Sequence, residues 1–363
     1  MAGSSFGTLF RITTWGETHG AGVGVVVDGC PAGLSLCEED IQVFLDRRKP
    51  GQSKYTTQRK EGDKVEIMSG VFEGKTTGTS ISLVVHNNNQ RSKDYGKIKD
   101  IFRPGHADFT FDAKYGFRDY RGGGRSSGRE TIGRVATGAI ASKLLLELGV
   151  TVEAYSKEIA GIEISEYNKD AINENPFYMP DAAAAKQVEE IANQMIKEQD
   201  SLGGIIECVA TGVKPGVGDP VFDKLSASLG KAILSIGAVK GFEIGDGFEA
   251  ARAKGSANND VFTCCDGKIQ KATNHSGGVL GGMSDGSPIV FRAAVKPTPS
   301  IAKIQKTVDQ EGNPIDLSIH GRHDPMIVPR AVVVVESMAA ITILDGILKD
   351  LSSTVDKIKK IYE

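Results

Sequence analysis

One large domain of the α+β class, spanning residues 1–363, is what the sequence predicts, and three observations predict it. Runs rich in glycine and β-branched residues recur along the chain, helical patterns lie between them, and no Gly/Ser/Pro linker divides it. The 363 residues would fit roughly two ordinary domains or one large one, and the missing linker favours one.

In chain order, Gly22 to Asp28, Ile81 to Val85, Gly204 to Thr211, Ile289 to Val295 and Ala331 to Glu336 read as strands. Glu38 to Arg48 reads as a helix stopped by Pro50-Gly51, and Thr131 to Leu148 as one stopped by Gly149. Between Asp181 and Gln199, Val188, Ile191, Ala192, Met195 and Ile196 repeat at helical spacing behind an Asp able to cap. Helical segments therefore dominate 131–200, interrupted by a polar excursion from Tyr167 to Ala182. Asp219-Pro220 opens a further helix to about Ile236, with proline where its missing N–H costs nothing. A C-terminal helix is expected around 338–351.

Charge nearly cancels: 43 Lys+Arg stand against 46 Asp+Glu. Wholesale disorder and a globally basic nucleic-acid binder are disfavoured. Glycine is abundant, 44 residues against an average of roughly 7%, so many sites need positive φ or close approach. The 5 cysteines form no C-x-x-C pair, which suggests neither a disulfide framework nor a zinc ribbon and fits a reducing compartment. The N-terminus lacks a basic segment followed by an apolar stretch. Apolar runs such as Ala331 to Val335 fall short of the ~18 residues of a membrane span. A cytoplasmic protein without targeting or membrane attachment is expected.

Two nucleotide-like motifs fail on context. Gly70 to Thr76 resembles a P-loop but has three residues between its glycines instead of four, and a strand pattern follows where a helix is needed, so a hairpin turn fits better. Gly20-Ala21-Gly22-Val23-Gly24 precedes its strand, whereas a dinucleotide fingerprint follows one.

The chemistry concentrates elsewhere. Arg91, Arg103, Arg118, Arg121, Arg125, Arg129 and Arg134 crowd one stretch. Within Tyr120 to Arg134, three consecutive glycines expose backbone N–H groups, Ser126 and Ser127 add hydroxyls, Arg125 and Arg129 add planar forks, and a helix begins directly afterwards. All four features favour an anion; the alternative is a solvated surface loop. His106 sits in the tight-turn sequence Phe102 to Asp108 beside Arg103, and His19 in a glycine-flanked turn. An imidazole pKa near ~6.5 suits proton transfer, although a lone histidine is commonly just a hydrogen-bonded residue. Arg47-Arg48-Lys49 ends a helix, where complementing the dipole would explain it equally well. Lys296 to Ser300 follows a strand and His320 to Pro325 precedes one, as ligand loops commonly do. His86, His275 and His320 lack acidic partners at helical intervals, so no catalytic metal is expected.

Three separated signatures then carry a family resemblance. They are Gly16-Glu17-Thr18-His19-Gly20 running into Val25 to Pro31, Gly124-Arg125-Ser126-Ser127-Gly128-Arg129-Glu130-Thr131, and Arg322-His323-Asp324-Pro325 leading to Glu336-Ser337. Arg47 to Ser53, Arg103 to Asp108, Asn274 to Gly278 and Lys296 to Ser300 match between them in order. The chain resembles the chorismate synthases, from near its N-terminus to the last predicted strand.

That resemblance implies a β-α-β sandwich, a homotetramer and a 1,4-elimination of phosphate from 5-enolpyruvylshikimate 3-phosphate to give chorismate, the last step of the shikimate pathway. Reduced FMN is required without net redox change. By the same resemblance, His106 protonates the departing phosphate, His19 protonates reduced flavin at its pyrimidine edge, Thr18 and Ser127 relay protons, and Asp324 assists hydrogen removal. FMN contacts would come from Arg125, Ser126, Ser127, Gly237, Ala238, Gly281, Lys296, Pro297, Thr298, Pro299, Ser300 and Arg322. Arg48, Arg103, Arg129 and Arg134 would bind the substrate anion. The chain departs from the family pattern with Thr18 for Ser, Gly128 for Ala, and Pro299 within a loop that commonly reads Thr-Ser-Ser. NADPH is a candidate reductant, yet no further nucleotide-binding segment is visible, so monofunctionality is expected. Competing readings are a flavin- and nicotinamide-dependent oxidoreductase of a small anionic substrate, and a non-enzymatic anion-binding scaffold.

Overall fold

A computed structural model describes residues 3–57, 61–87, 96, 98–319 and 324–363. Two five-stranded antiparallel sheets enclose a layer of helices. The N-terminal sheet runs in the order Ser5–Phe6, Arg11–Gly16, Gly22–Asp28, Ile81–His86, Val65–Ile67. The second runs Val239–Ile244, Ile289–Val295, Gly204–Thr211, Thr151–Ile159, Ile162–Glu163. Helix Thr131–Glu147 packs on the first sheet, helix Val328–Asp350 on the second, and the two helices pack on each other. The order of layers is β-α-β, as the family resemblance implied.

Close approach between layers depends on missing side chains. A Cβ on Gly133 would lie 3.0 Å from Thr14 Cγ2, and one on Gly138 only 2.2 Å from Ser337 Cβ. Both glycines lie on the helix Thr131–Glu147, one facing the sheet and the other the neighbouring helix. Strands of the sandwich alternate as a half-covered sheet should: Ile289, Phe291, Ala293 and Val295 are buried, and the residues between them less so.

Helix Glu38–Arg48 forms over its expected span. Asp181 caps the helix Ala182–Glu198 by accepting from the amides of Ala183 and Ala184. Gly70–Thr76 is a hairpin, with Val71–Phe72 pairing Lys75–Thr76.

Four expectations need correction. The stretch 131–200, expected to be helical apart from its polar excursion, also holds the strand Thr151–Ile159 of the second sheet. Ala331 to Glu336 is no strand but the early part of helix Val328–Asp350, with Pro329 near its start. Its β-branched residues favour a strand locally, and burial between two layers overrides that preference. Accordingly the loop around Asp324 leads into a helix. This helix is also long and apolar enough to cross a membrane, which counting uninterrupted runs missed; 72% of its most apolar stretch is buried inside the protein. Finally, the helix expected from Asp219 begins only at Leu225, whose N–H donates to Gly282 O at 2.7 Å while Gly218 turns the chain at φ 116°.

Candidate functional site

Residues 122–130 form the hub. Two 3-10 turns, Gly124–Ser126 and Gly128–Glu130, lead into the helix Thr131–Glu147. Ser127 joins them and accepts the Arg129 N–H on its Oγ at 3.3 Å. Since a capping hydroxyl accepts through a lone pair, its own proton stays available for donation. Arg125 reaches across to the end of the strand Arg11–Gly16. It donates to the carbonyls of Gly16 and Thr14, each at 3.0 Å, and to Thr14 Oγ1 at 2.6 Å. The expected anion loop is thereby clamped to the segment that carries His19.

That segment is a tight turn. Gly20 N–H donates to Glu17 O at 3.1 Å, leaving Thr18 and His19 as its two central residues. Asn87 closes it further, its Nδ2 donating to Glu17 O at 2.8 Å and Gly20 O at 2.9 Å. Thr18 is buried, and its Oγ1 has no hydrogen-bond partner among the described residues. A buried hydroxyl left that way is costly unless something else completes it.

Beneath the turn lies a buried charge cluster. Arg48 Nη1 pairs with Asp63 Oδ2 at 2.9 Å, and Arg129 Nη1 with Asp63 Oδ1 at 2.8 Å and Glu61 Oε2 at 2.6 Å. Arg48 also donates to Gly128 O and Thr131 Oγ1. Burial first, and then the charge of Arg330, pull Arg48 from its usual value down to about 9, which still leaves it charged at neutral pH. Arg48, Arg129 and Arg330 here face Asp63, Glu61 and Asp324, so the cluster is balanced in charge. Arg47 and Arg48 lie in the last turn of the helix Glu38–Arg48, and beyond the dipole Arg47 makes a bidentate pair with the buried Glu336 at 2.6 and 2.9 Å. Asp324 accepts from Arg330 Nη1 at 2.6 Å and Thr57 N–H at 2.8 Å, and Arg330 Nε donates to Arg48 O.

The His106 turn approaches the hub from the other side. Arg103 grips Asp108 through Nε to Oδ2 and Nη2 to Oδ1, both 2.7 Å, and donates to Gly122 O at 3.0 Å. His106 Nδ1 lies 2.9 Å from Asp108 Oδ1. Burial works to raise the Asp108 pKa, but hydrogen bonds from Arg103 and His106 outweigh it and hold this carboxyl well below the usual range. An ionised carboxylate on Nδ1 fixes the imidazole tautomer and leaves Nε2 as the working nitrogen.

Lys296 connects this turn to the expected flavin segments. Its Nζ donates to Gly105 O at 2.8 Å and its N–H to Ala238 O at 2.9 Å. Pro299 Cβ would be 3.2 Å from a Cβ on Gly105. Ala238 holds φ 72°, a backbone region unusual for alanine, and a Cβ on Gly237 would lie 3.8 Å from Ser126 O. Arg134 bridges Glu130 Oε2 at 2.9 Å and Ser235 Oγ at 2.6 Å. Ser201 Oγ donates to Thr298 O, while Thr298 Oγ1 is buried with no partner among the described residues. Pro297 and the buried Ser300 complete that loop.

Contacts thus join Thr18, His19, Arg48, Arg103, His106, Arg125 to Ser127, Arg129, Arg134, Gly237, Ala238, Lys296 to Ser300 and Asp324. Gly281 stands apart: its hairpin Val279–Leu280/Met283–Ser284 packs on Gly218, Asp219 and Leu225. Arg322, with His320 and His323, lies outside the described residues. The Asn274 to Gly278 motif serves a buried salt-bridge network, in which Lys271 Nζ contacts Asp260, Asp285, Asn274 and Ser276.

Sequence reasoning missed Asp63, Asn87, Asp108 and Glu130 as partners of these residues. Asp108 was inside a quoted motif and two residues from His106, a legible signal. Asp63 and Asn87 carry none, being distant in sequence from the groups they hold.

A family model described as chorismate synthase matches residues 10–348. The chain is 64% identical to the chorismate synthases of Agathobacter rectalis and of Lachnospira eligens, with 100% of this chain and of each relative covered. It is 55% identical to that of Chloroflexus aggregans over 96% of both chains. Among solved structures, it resembles a crystal structure of chorismate synthase with TM-score 0.76 and 30% identity, covering 98% of this chain and 97% of that one.

Proposed function

This chain belongs to the chorismate synthase family, and we propose that the hub around residues 122–130 is its active centre. The activity is that of a chorismate synthase, a lyase. The substrate is 5-enolpyruvylshikimate 3-phosphate, which loses phosphate across the ring to give chorismate. One observation carries the assignment of the site: His106, oriented by ionised Asp108, is linked by direct contacts to the loops that carry Arg125, Ala238 and Lys296.

The residues present fit reduced FMN. Thr18 Oγ1 and Thr298 Oγ1 are buried without partners among the described residues; Lys296 shares the loop of Thr298, and Arg125 is bonded to the strand end that leads into the Thr18 turn. Arg125, Ser126, Ser127, Gly237, Ala238 and Lys296 to Ser300 would hold the flavin; Gly281 and Arg322 remain part of the proposed set. When bound, reduced flavin supplies electron density that helps expel phosphate, since the ring hydrogen lost has no neighbouring carbonyl to acidify it.

The protein's residues do the rest. His106 donates a proton from Nε2 to the departing phosphate. Arg48, Arg103, Arg129 and Arg134 are the residues proposed for the substrate anion, and Asp63, Asp108, Glu61 and Glu130 already balance their four charges. Because carboxylates engage all four, they act by positioning more than as open forks. His19 holds a proton at the flavin's pyrimidine edge, Thr18 and Ser127 pass protons through their free hydroxyl hydrogens, and Asp324 assists removal of the ring hydrogen.

The reading extends to a homotetramer, a cytoplasmic location consistent with five free cysteines, and a monofunctional enzyme with NADPH as a candidate reductant. One domain is proposed for the whole chain, supported by a core shared between both sheets. Anaerobic mixing with dithionite-reduced FMN and substrate tests the activity. Many chorismate and phosphate molecules per flavin, without consumption of reductant, are expected. Stoichiometric flavin oxidation would instead favour a nicotinamide-dependent oxidoreductase, which the family match does not favour.

A further inference from the structure

We propose that Asn87 is a positioning residue that sets the Thr18-His19 turn and couples it to Arg129. The inference rests on the catalytic reading of His19. Asn87 follows the strand Ile81–His86, and its N–H continues the pairing with the Gly22–Asp28 strand by donating to Ala21 O at 3.0 Å. Its side chain then faces two different demands. Arg129 Nε donates to Oδ1 at 2.5 Å, and Nδ2 donates to Glu17 O and Gly20 O.

A guanidinium can only donate, so it must be offered the amide oxygen, and this fixes the amide orientation. The amide nitrogen is thereby directed to the two carbonyls that bracket Thr18 and His19. Arg129 is itself held by Asp63 and Glu61, and Asp63 by Arg48. A rigid chain of charge-assisted contacts therefore runs from the buried cluster to the turn. No other ordinary side chain of this length offers one acceptor and two donors: aspartate keeps the acceptor and loses both donors, and leucine loses everything.

Positioning through His19 is distinguishable from simple bracing by a double-mutant cycle. With reduced FMN and substrate, Asn87→Asp and Asn87→Ala should each lower kcat about 10-fold or more, with KM changed less than about 3-fold. In a His19→Ala background the same changes should cost less than about 2-fold more, because the residue they align is gone. Multiplicative losses, or a kcat unchanged by both substitutions, would overturn the proposal. Hydrogen exchange at the Gly20 amide gives a readout without turnover: it should accelerate in Asn87→Asp, and an unchanged rate would also overturn it. Wild-type protein that forms no chorismate would defeat the parent reading, whereas an active wild type with an additive cycle defeats only the role of Asn87.

Discussion

The two histidine turns are held by different means. His106 is gripped at its ring by Asp108, itself locked to Arg103. The His19 turn is gripped at its backbone, through the Glu17 and Gly20 carbonyls. A carboxylate on Nδ1 fixes the tautomer and orientation of the ring, which suits a group that must give up a proton from Nε2. Backbone clamps set the place of the turn itself. The first turn is held through its histidine ring, the second through its backbone.

The largest effect should break this comparison at its stronger arm. His106→Ala is expected to slow chorismate formation by about 10²–10⁴-fold, with flavin affinity changed far less, as read by fluorescence titration. Equal loss of both would make His106 structural.

Asp108→Asn comes next. Turnover should fall about 10–100-fold, and stability should fall too, because Arg103 is left buried without its counter-charge, a loss of about 3–5 kcal/mol for such pairs. The sign with pH is definite. Asp108 has a depressed pKa when folded, so its stabilisation is fully present above the unfolded value of about 3.9 and fades as pH falls from there toward the lower folded value. Melting temperatures of wild type and variant should therefore converge below about pH 4, and a constant gap would deny Asp108 this role.

Ser127→Ala is expected to slow phosphate release several-fold and remove a cap worth about 1 kcal/mol; phosphate-burst kinetics would show an unchanged rate if it is outside the relay. Smallest on turnover is Gly138→Ala. Its Cβ would meet Ser337 in the helix layer, so it should cost about 1–3 kcal/mol of stability yet leave kcat per folded molecule unchanged. A fallen kcat would mean that the helix layer reaches the turns.

Much of this was legible beforehand where the information is local. Asp181 announced a helix, Gly149 ended one, and the glycine–serine–arginine run announced a structured loop at a helix start. The Asp108 carboxylate lay within reach of anyone reading two residues past His106. By contrast, the β-branched run Ala331 to Glu336 reads as a strand by local propensity despite Pro329 before it, and its place between two layers makes it a helix. The four arginines looked like open anion binders, although two of their counter-charges are local, Asp108 in the turn of Arg103 and Glu130 one helical turn before Arg134; Arg48 and Arg129 find theirs in another segment, at Asp63 and Glu61.

The sequence by itself determined the element types wherever caps and turns speak, the motifs and the family. Tertiary structure decided which cations are spent on distant carboxylates and which remote groups clamp the His19 turn. The reason is physical: capping and turn chemistry act over a few residues along the chain, whereas ion pairing and burial act through space and ignore sequence separation.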